Sequence, residues 1–225
     1  MLSTVTIVVA TAMLNGPDDS EQQASGSGGG LDCSAVTGHA SGLEPAQERN
    51  AKIITAVAHT RGLGNSAATI AVTAALAEST LYNYANNGAS TMLGSLEGRP
   101  LTEDERAVAR RSMEYPHDRV GDNLDSIGLF QQRPMSGWGP PEVLVDPMRA
   151  SGRFFDELVE VPQWDSQPAW DTAQAVQVSP SSNGEIYRAS YPLAETIVTE
   201  LTASNSGRPA GDEPAIDGGV CTPVD

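Results

Sequence analysis

Glu78 stands in the run AALAEST, with Ala74, Ala75 and Leu81 three and four residues away. A helix expected over 66–84 places Ile70, Ala74, Ala77 and Leu81 on one inward stripe. Glu78 then lies on or beside that stripe, near the C-terminal end of the helix, with no base within a turn. Burial and the negative end of the helix dipole both disfavour the ionised carboxylate. A carboxylic acid held protonated near neutral pH is suited to general-acid chemistry. By itself the pattern fits a solvated glutamate at the stripe's edge better, so Glu78 needs a companion feature.

That companion is NLDSIGLFQQRPMSGWG, residues 123–139, where Gly128, Gly137 and Gly139 surround Phe130, Trp138 and the paired Gln131 and Gln132. A glutamine amide both donates and accepts hydrogen bonds. Trp138 is large, mostly apolar and compatible with a core position. Other chemistries lack support. There is no glycine-rich phosphate loop and no His/Cys metal spacing. His39, His59 and His117 are isolated, and GNSAA around Ser66 is not a nucleophile elbow. The acids of VGDNLDS lack calcium-loop spacing. No cofactor and no metal are expected.

The elements that must position these residues are mostly helical. Apolar spacing and end signals predict helices over 46–61, 66–84, 103–113, 147–159 and 166–178. A last helix, broken or kinked at Pro192, is expected to reach about residue 202. Thr102 and Glu105 form a capping-box pair, and Asp146 before Pro147 is an N-cap signal. Short strand-like runs appear only around 126–131. The expected class is mainly α, with one small β or irregular insert forming a cleft wall.

The formal net charge of -16 over 225 residues is unevenly spread: residues 51–150 hold eleven acids against nine bases, whereas residues 151–225 hold twelve against three. Nucleic acid is excluded as a partner, because phosphate binding needs clustered Lys and Arg. Residues 1–14 are apolar and uncharged, and read as the remnant of an export signal or anchor. Residues 15–32 read as a flexible tether, and 33–225 as a single domain with a loosely packed acidic tail from 204. The expected setting is secreted or extracytoplasmic, with the N-terminus available for tethering to membrane or cell wall, and the protein is expected to be a monomer. Cys33 and Cys221 flank the domain and are expected to pair; the chain-entropy view assigns about 5 kcal/mol to closing so long a loop.

AALAES, with Glu78 and Ser79, resembles the first motif of goose-type lysozymes and soluble lytic transglycosylases. SIGLFQQ resembles their second, a Gly-Leu-apolar-Gln run. The run DSIGLFQQRPMSGWG, then VDPMRA, then AQAVQ followed by Tyr187, is similar to secreted actinobacterial lysozyme-like domains found alone or beside cell-wall peptidases. The likeness covers roughly 46–202. It implies a lysozyme-like α+β fold and cleavage of the β-1,4 bond between N-acetylmuramic acid and N-acetylglucosamine in peptidoglycan glycan strands. It also implies Glu78 as the catalytic acid, with Ser79, Gly128, Leu129, Gln131, Gln132, Trp138, Gln177 and Tyr187 around the substrate. Gly128 would let a sugar approach the backbone. Asp118, Asp122 and Asp125 compete for the place of a second carboxylate, and Asp125 is taken with Glu78 as the catalytic pair. The family's third motif, Ala-Tyr-Asn, is replaced here by AQAVQVS, with Gln174, Gln177 and Tyr187 as substitutes. A non-catalytic glycan-binding or scaffolding module is the alternative.

Overall fold

The computed structural model describes residue 31, residues 33–93, 98–177 and 184–203, and the backbone of 216–217 and 220–221. The apolar leader, nearly all of the tether and most of the acidic tail lie outside the described residues. The rest is mainly helical: α1 (Pro45–Thr60), α2 (Gly64–Ser79), α3 (Glu103–Arg110), α4 (Pro141–Leu144), α5 (Pro147–Glu160), α6 (Ala169–Gln177) and α7 (Glu185–Thr202).

α2 is the centre. Ala67, Ala68, Ile70, Ala71, Val72, Ala74 and Ala75 are all buried, and α1, α5, α6 and α7 pack around it. A helix apolar on every side belongs inside a bundle, and its many alanines allow neighbours to approach closely. α1 is amphipathic and buries Ile53, Ile54, Val57 and Ala58. α5 adds Phe154, which stacks on Phe130 at 4.7 Å between ring centroids.

The end signals hold for two helices. Thr102 and Glu105 form the reciprocal capping box of α3. Asp146 accepts hydrogen bonds from the Met148 and Arg149 N–H groups at the start of α5. α7 runs unbroken through Pro192, so of the break or kink expected there, the break does not occur. Pro192 is exposed, so the Arg188 carbonyl deprived of its helical donor is free to meet water.

The β part differs from expectation. The strand-like run at 126–131 is a tight loop closed by one Ile127–Gln132 bridge. The pairing falls instead on β1 (Tyr84–Asn86) and β2 (Arg119–Gly121), which run parallel with Tyr84 opposite Arg119. These three-residue strands are too short to leave a period in the sequence.

Cys33 is buried in a 3-10 turn and is not a free thiol. The backbone of Cys221 lies on β4 (Val220–Cys221), which pairs antiparallel with β3 (Ile216–Asp217). Both the 3-10 turn and β4 pack beside α1. The Cys221 side chain is outside the described residues, so Cys33–Cys221 pairing stands as a prediction. Alkylation of the oxidised, unfolded protein is expected to leave both cysteines unlabelled by mass spectrometry; two labelled cysteines would refute the bridge.

Candidate active site

The site is built where α2 stops. Thr80 and Leu81 take left-handed conformations, with φ of 52° and 63°. Two such residues without glycine are costly and need external support. α1 supplies it: Gln47 donates to the Thr80 carbonyl and Asn50 to the Leu81 carbonyl, both at 2.8 Å. The helix expected to reach residue 84 therefore ends at Ser79. Glu78 sits in the last turn of the helix.

The Glu78 side chain is half-buried. The fully buried Tyr187 donates its hydroxyl proton to Glu78 Oε1 at 2.5 Å. Burial raises the carboxyl above its ordinary range, and the Tyr187 hydrogen bond offsets part of that rise. The site thus combines an acid that resists ionisation with a donor that fixes its orientation.

The 125–135 loop is tied to the same helix end. Ser79 Oγ lies 2.7 Å from the Leu129 carbonyl oxygen and 3.0 Å from that of Ala75. Gln177, from the end of α6, donates to the Phe130 carbonyl at 2.8 Å. Glu78, Ser79, Gln177 and Tyr187, brought from three helices, thereby converge with residues 128–131.

Several residues expected to line the substrate have another place. Leu129 and Gln132 are buried, at 0% and 2% exposure, and lie beneath the surface of the loop. Ser79 is also buried and its hydroxyl is engaged by main-chain carbonyls. Gly128 (φ +79°) is required by protein packing: a Cβ there would sit 2.0 Å from the Leu144 carbonyl oxygen. Trp138 is half-buried and packs at the meeting of the main core with the small cluster of Ile127, Leu144 and Val145. Gln131 is partly exposed and donates to the Gly128 carbonyl at 3.1 Å. Asp125 is wholly buried; its two oxygens are held by the Arg133 guanidinium and by the Met135 N–H at 2.8 Å. Asp125 is a clamp that shapes the loop. Asp118 is likewise committed, to Arg49, Asn50 and the Asn83 N–H, while Asp122 is exposed.

A cavity of about 570 Å³ lies between α1 and the 115–118 and 142–149 segments. Glu78 does not line it. The carboxylates that do are already engaged: Asp118 as above, Glu142 by Arg111, and Asp146 as the cap of α5. Glu78, raised by burial and partly open, is the candidate acid. The chain joining Gln177 to the helix of Tyr187, residues 178–183, lies outside the described residues.

The sequence reading placed Tyr187 near the substrate; the structure places its hydroxyl on the acid itself. Gln47 and Asn50 were not foreseen, since each acts through a main-chain carbonyl more than thirty residues away and no local pattern marks it. Tyr187→Phe is expected to lower stability by about 1–3 kcal/mol at neutral pH, because a buried carboxyl loses its donor. It also removes the interaction that lowers the Glu78 pKa, so the alkaline limb of an activity profile is expected to move to higher pH. An unchanged limb, with stability at the wild-type level, would contradict this pairing.

Fold and site together describe a mainly helical domain with one partly buried, tyrosine-held glutamic acid at the end of its central helix. No family model matches the chain, and no curated protein does either.

Proposed function

We propose that the protein is a peptidoglycan-cleaving enzyme of lysozyme-like type, acting on the β-1,4 bond between N-acetylmuramic acid and N-acetylglucosamine. The observation that carries this reading is Glu78: half-buried, raised in pKa and oriented by Tyr187 beside the Gly-Leu-Phe-Gln loop. In the proposed reaction the protonated Glu78 gives its proton to the glycosidic oxygen as the bond breaks.

The commitments of Asp118 and Asp125 favour a single-carboxylate route. Glu78, ionised after the first step, then takes the proton of the sugar's own 6-hydroxyl, which closes an anhydro ring on the muramic acid. This is lytic transglycosylation, and it needs no second carboxylate at a fixed separation, unlike hydrolysis. The alternative is a glycan-binding module without turnover, which the departure from Ala-Tyr-Asn at AQAVQ favours. An extracytoplasmic setting follows from the substrate.

Clearing of a purified cell-wall suspension by the full, oxidised chain tests the proposal. Wild type is expected to lower turbidity with time. A folded protein that binds the walls and leaves turbidity constant would favour the binding module.

A further inference from the structure

A second groove lies along the seam of α2 and α7, away from the 125–135 loop. It has a volume of about 520 Å³. Its walls carry Trp164, Trp170 and Tyr191, which include two of the chain's three tryptophans. Between them stand Ser66, Thr69 and Thr199, whose hydroxyls have no side-chain or backbone partner among the described residues, together with Gln167 and the carboxylates of Asp165 and Glu195. No Lys or Arg is among its lining residues, but the Arg188 guanidinium stands over the Trp170 ring, 5.3 Å from its centroid. Trp170 and Tyr191 meet edge to face at 5.2 Å, and the Tyr191 hydroxyl donates to Glu195 at 2.9 Å.

We infer that this groove is a second glycan-binding site, taking a neutral, polyhydroxylated sugar chain. The C–H face of a sugar ring is apolar and weakly positive, and the face of an indole is negative, so the two stack. Carboxylates and side-chain amides accept from sugar hydroxyls, and free serine and threonine hydroxyls adapt to either role. The two acids outnumber the Arg188 guanidinium beside Trp170 and so disfavour an anionic occupant such as the chain's own acidic tail.

Position supports a shared strand. Tyr187, Tyr191 and Glu195 are spaced four apart and follow one another along α7. Tyr187 holds Glu78 at the end of α2, while the groove takes Ser66, Thr69 and Ile70 from the start of α2. At 1.5 Å per residue those positions lie roughly 12–18 Å from Glu78 along the helix. A sugar chain held in the groove is thus kept close to the acid. That the sugars are N-acetylated rests on the proposed function; that they are neutral and hydroxyl-rich rests on the groove alone.

The test is titration of the full, oxidised chain with a soluble N-acetylglucosamine tetramer, followed by tryptophan fluorescence and isothermal calorimetry. Ser66→Arg and Thr69→Arg fill the groove from partly or fully exposed positions without cutting into the core. Each is expected to weaken binding at least about tenfold, the loss of one good stacking contact, while Met113→Ala, at an exposed position outside the groove, binds like wild type. Trp170→Phe keeps a ring and is expected to weaken binding less than Trp170→Ala. Unchanged affinity in both arginine variants would overturn the inference, as would the absence of binding by folded wild type or preferential binding of a proline-rich peptide. Groove-dependent binding without release of cell-wall products would uphold the groove and sink the catalytic reading, so the two fail separately.

Discussion

Glu78→Gln is expected to lower cell-wall turnover by about 10²–10⁴-fold, the usual cost of losing a positioned general acid, or roughly 3–5 kcal/mol of barrier. Glutamine keeps the shape and still accepts the Tyr187 hydroxyl, but has no proton to deliver. Stability supplies an independent check. The folded-state pKa of Glu78 is raised, by burial in the main. Above the unfolded-state pKa the unfolded chain ionises first, so wild type loses stability as pH rises from that value through the folded pKa, and the loss is complete above it. Below both values neither state is ionised and no penalty exists. Glu78→Gln is therefore expected to gain on wild type in thermal unfolding at neutral pH and to lose that gain toward pH 3. A variant that unfolds earlier than wild type at pH 7 would show that the carboxylate stabilises the fold and is not held against its preference.

Gly128→Ala is expected to destabilise the protein by about 3–5 kcal/mol, enough to leave many domains largely unfolded. Two effects add. The residue takes φ +79°, where an L side chain is strained, and its new Cβ would lie 2.0 Å from the Leu144 carbonyl oxygen. Neither neighbour can yield easily: the Gly128 N–H is bound to the Tyr84 carbonyl at 2.8 Å, and Leu144 is fully buried. Gly137→Ala is the control. It takes φ +85° with nothing within 4 Å of the added Cβ, so only backbone strain of about 1 kcal/mol is expected. Urea unfolding of the two variants separates the causes. Equal losses would mean that the contact with Leu144 is not what demands a glycine at 128.

The parts of this architecture written in local chemistry were legible. The capping box at Thr102 and Glu105 and the Asp146–Pro147 start of α5 are complete within four residues, and both appear as expected. Glu78 stood out because helical period alone places it beside Ala74 and Leu81. What escaped was set by distant partners. The end of α2 depends on Gln47 and Asn50 holding a left-handed pair at Thr80 and Leu81, and nothing within 66–84 announces it. The glycine at 128 looked like an opening for a ligand; the reason for it is the Leu144 backbone, sixteen residues on. Asp125 looked like a free carboxylate because its partner Arg133 lies eight residues on, across a loop whose closure the sequence does not reveal. Pro192 read as a break or kink because its exposure depends on which face of α7 the bundle covers.

The most direct measurement is mass spectrometry of the soluble sugars released when purified peptidoglycan is incubated with the full, oxidised chain, wild type beside Glu78→Gln. The account predicts disaccharide fragments from wild type, cleaved between N-acetylmuramic acid and N-acetylglucosamine and ending in an anhydro ring, with at least about a hundredfold less from the variant. Fragments with reducing ends would keep Glu78 as the acid and replace transglycosylation by hydrolysis. No released fragment from a correctly folded wild type, or equal release by Glu78→Gln, would contradict the claim that Glu78 cleaves glycan.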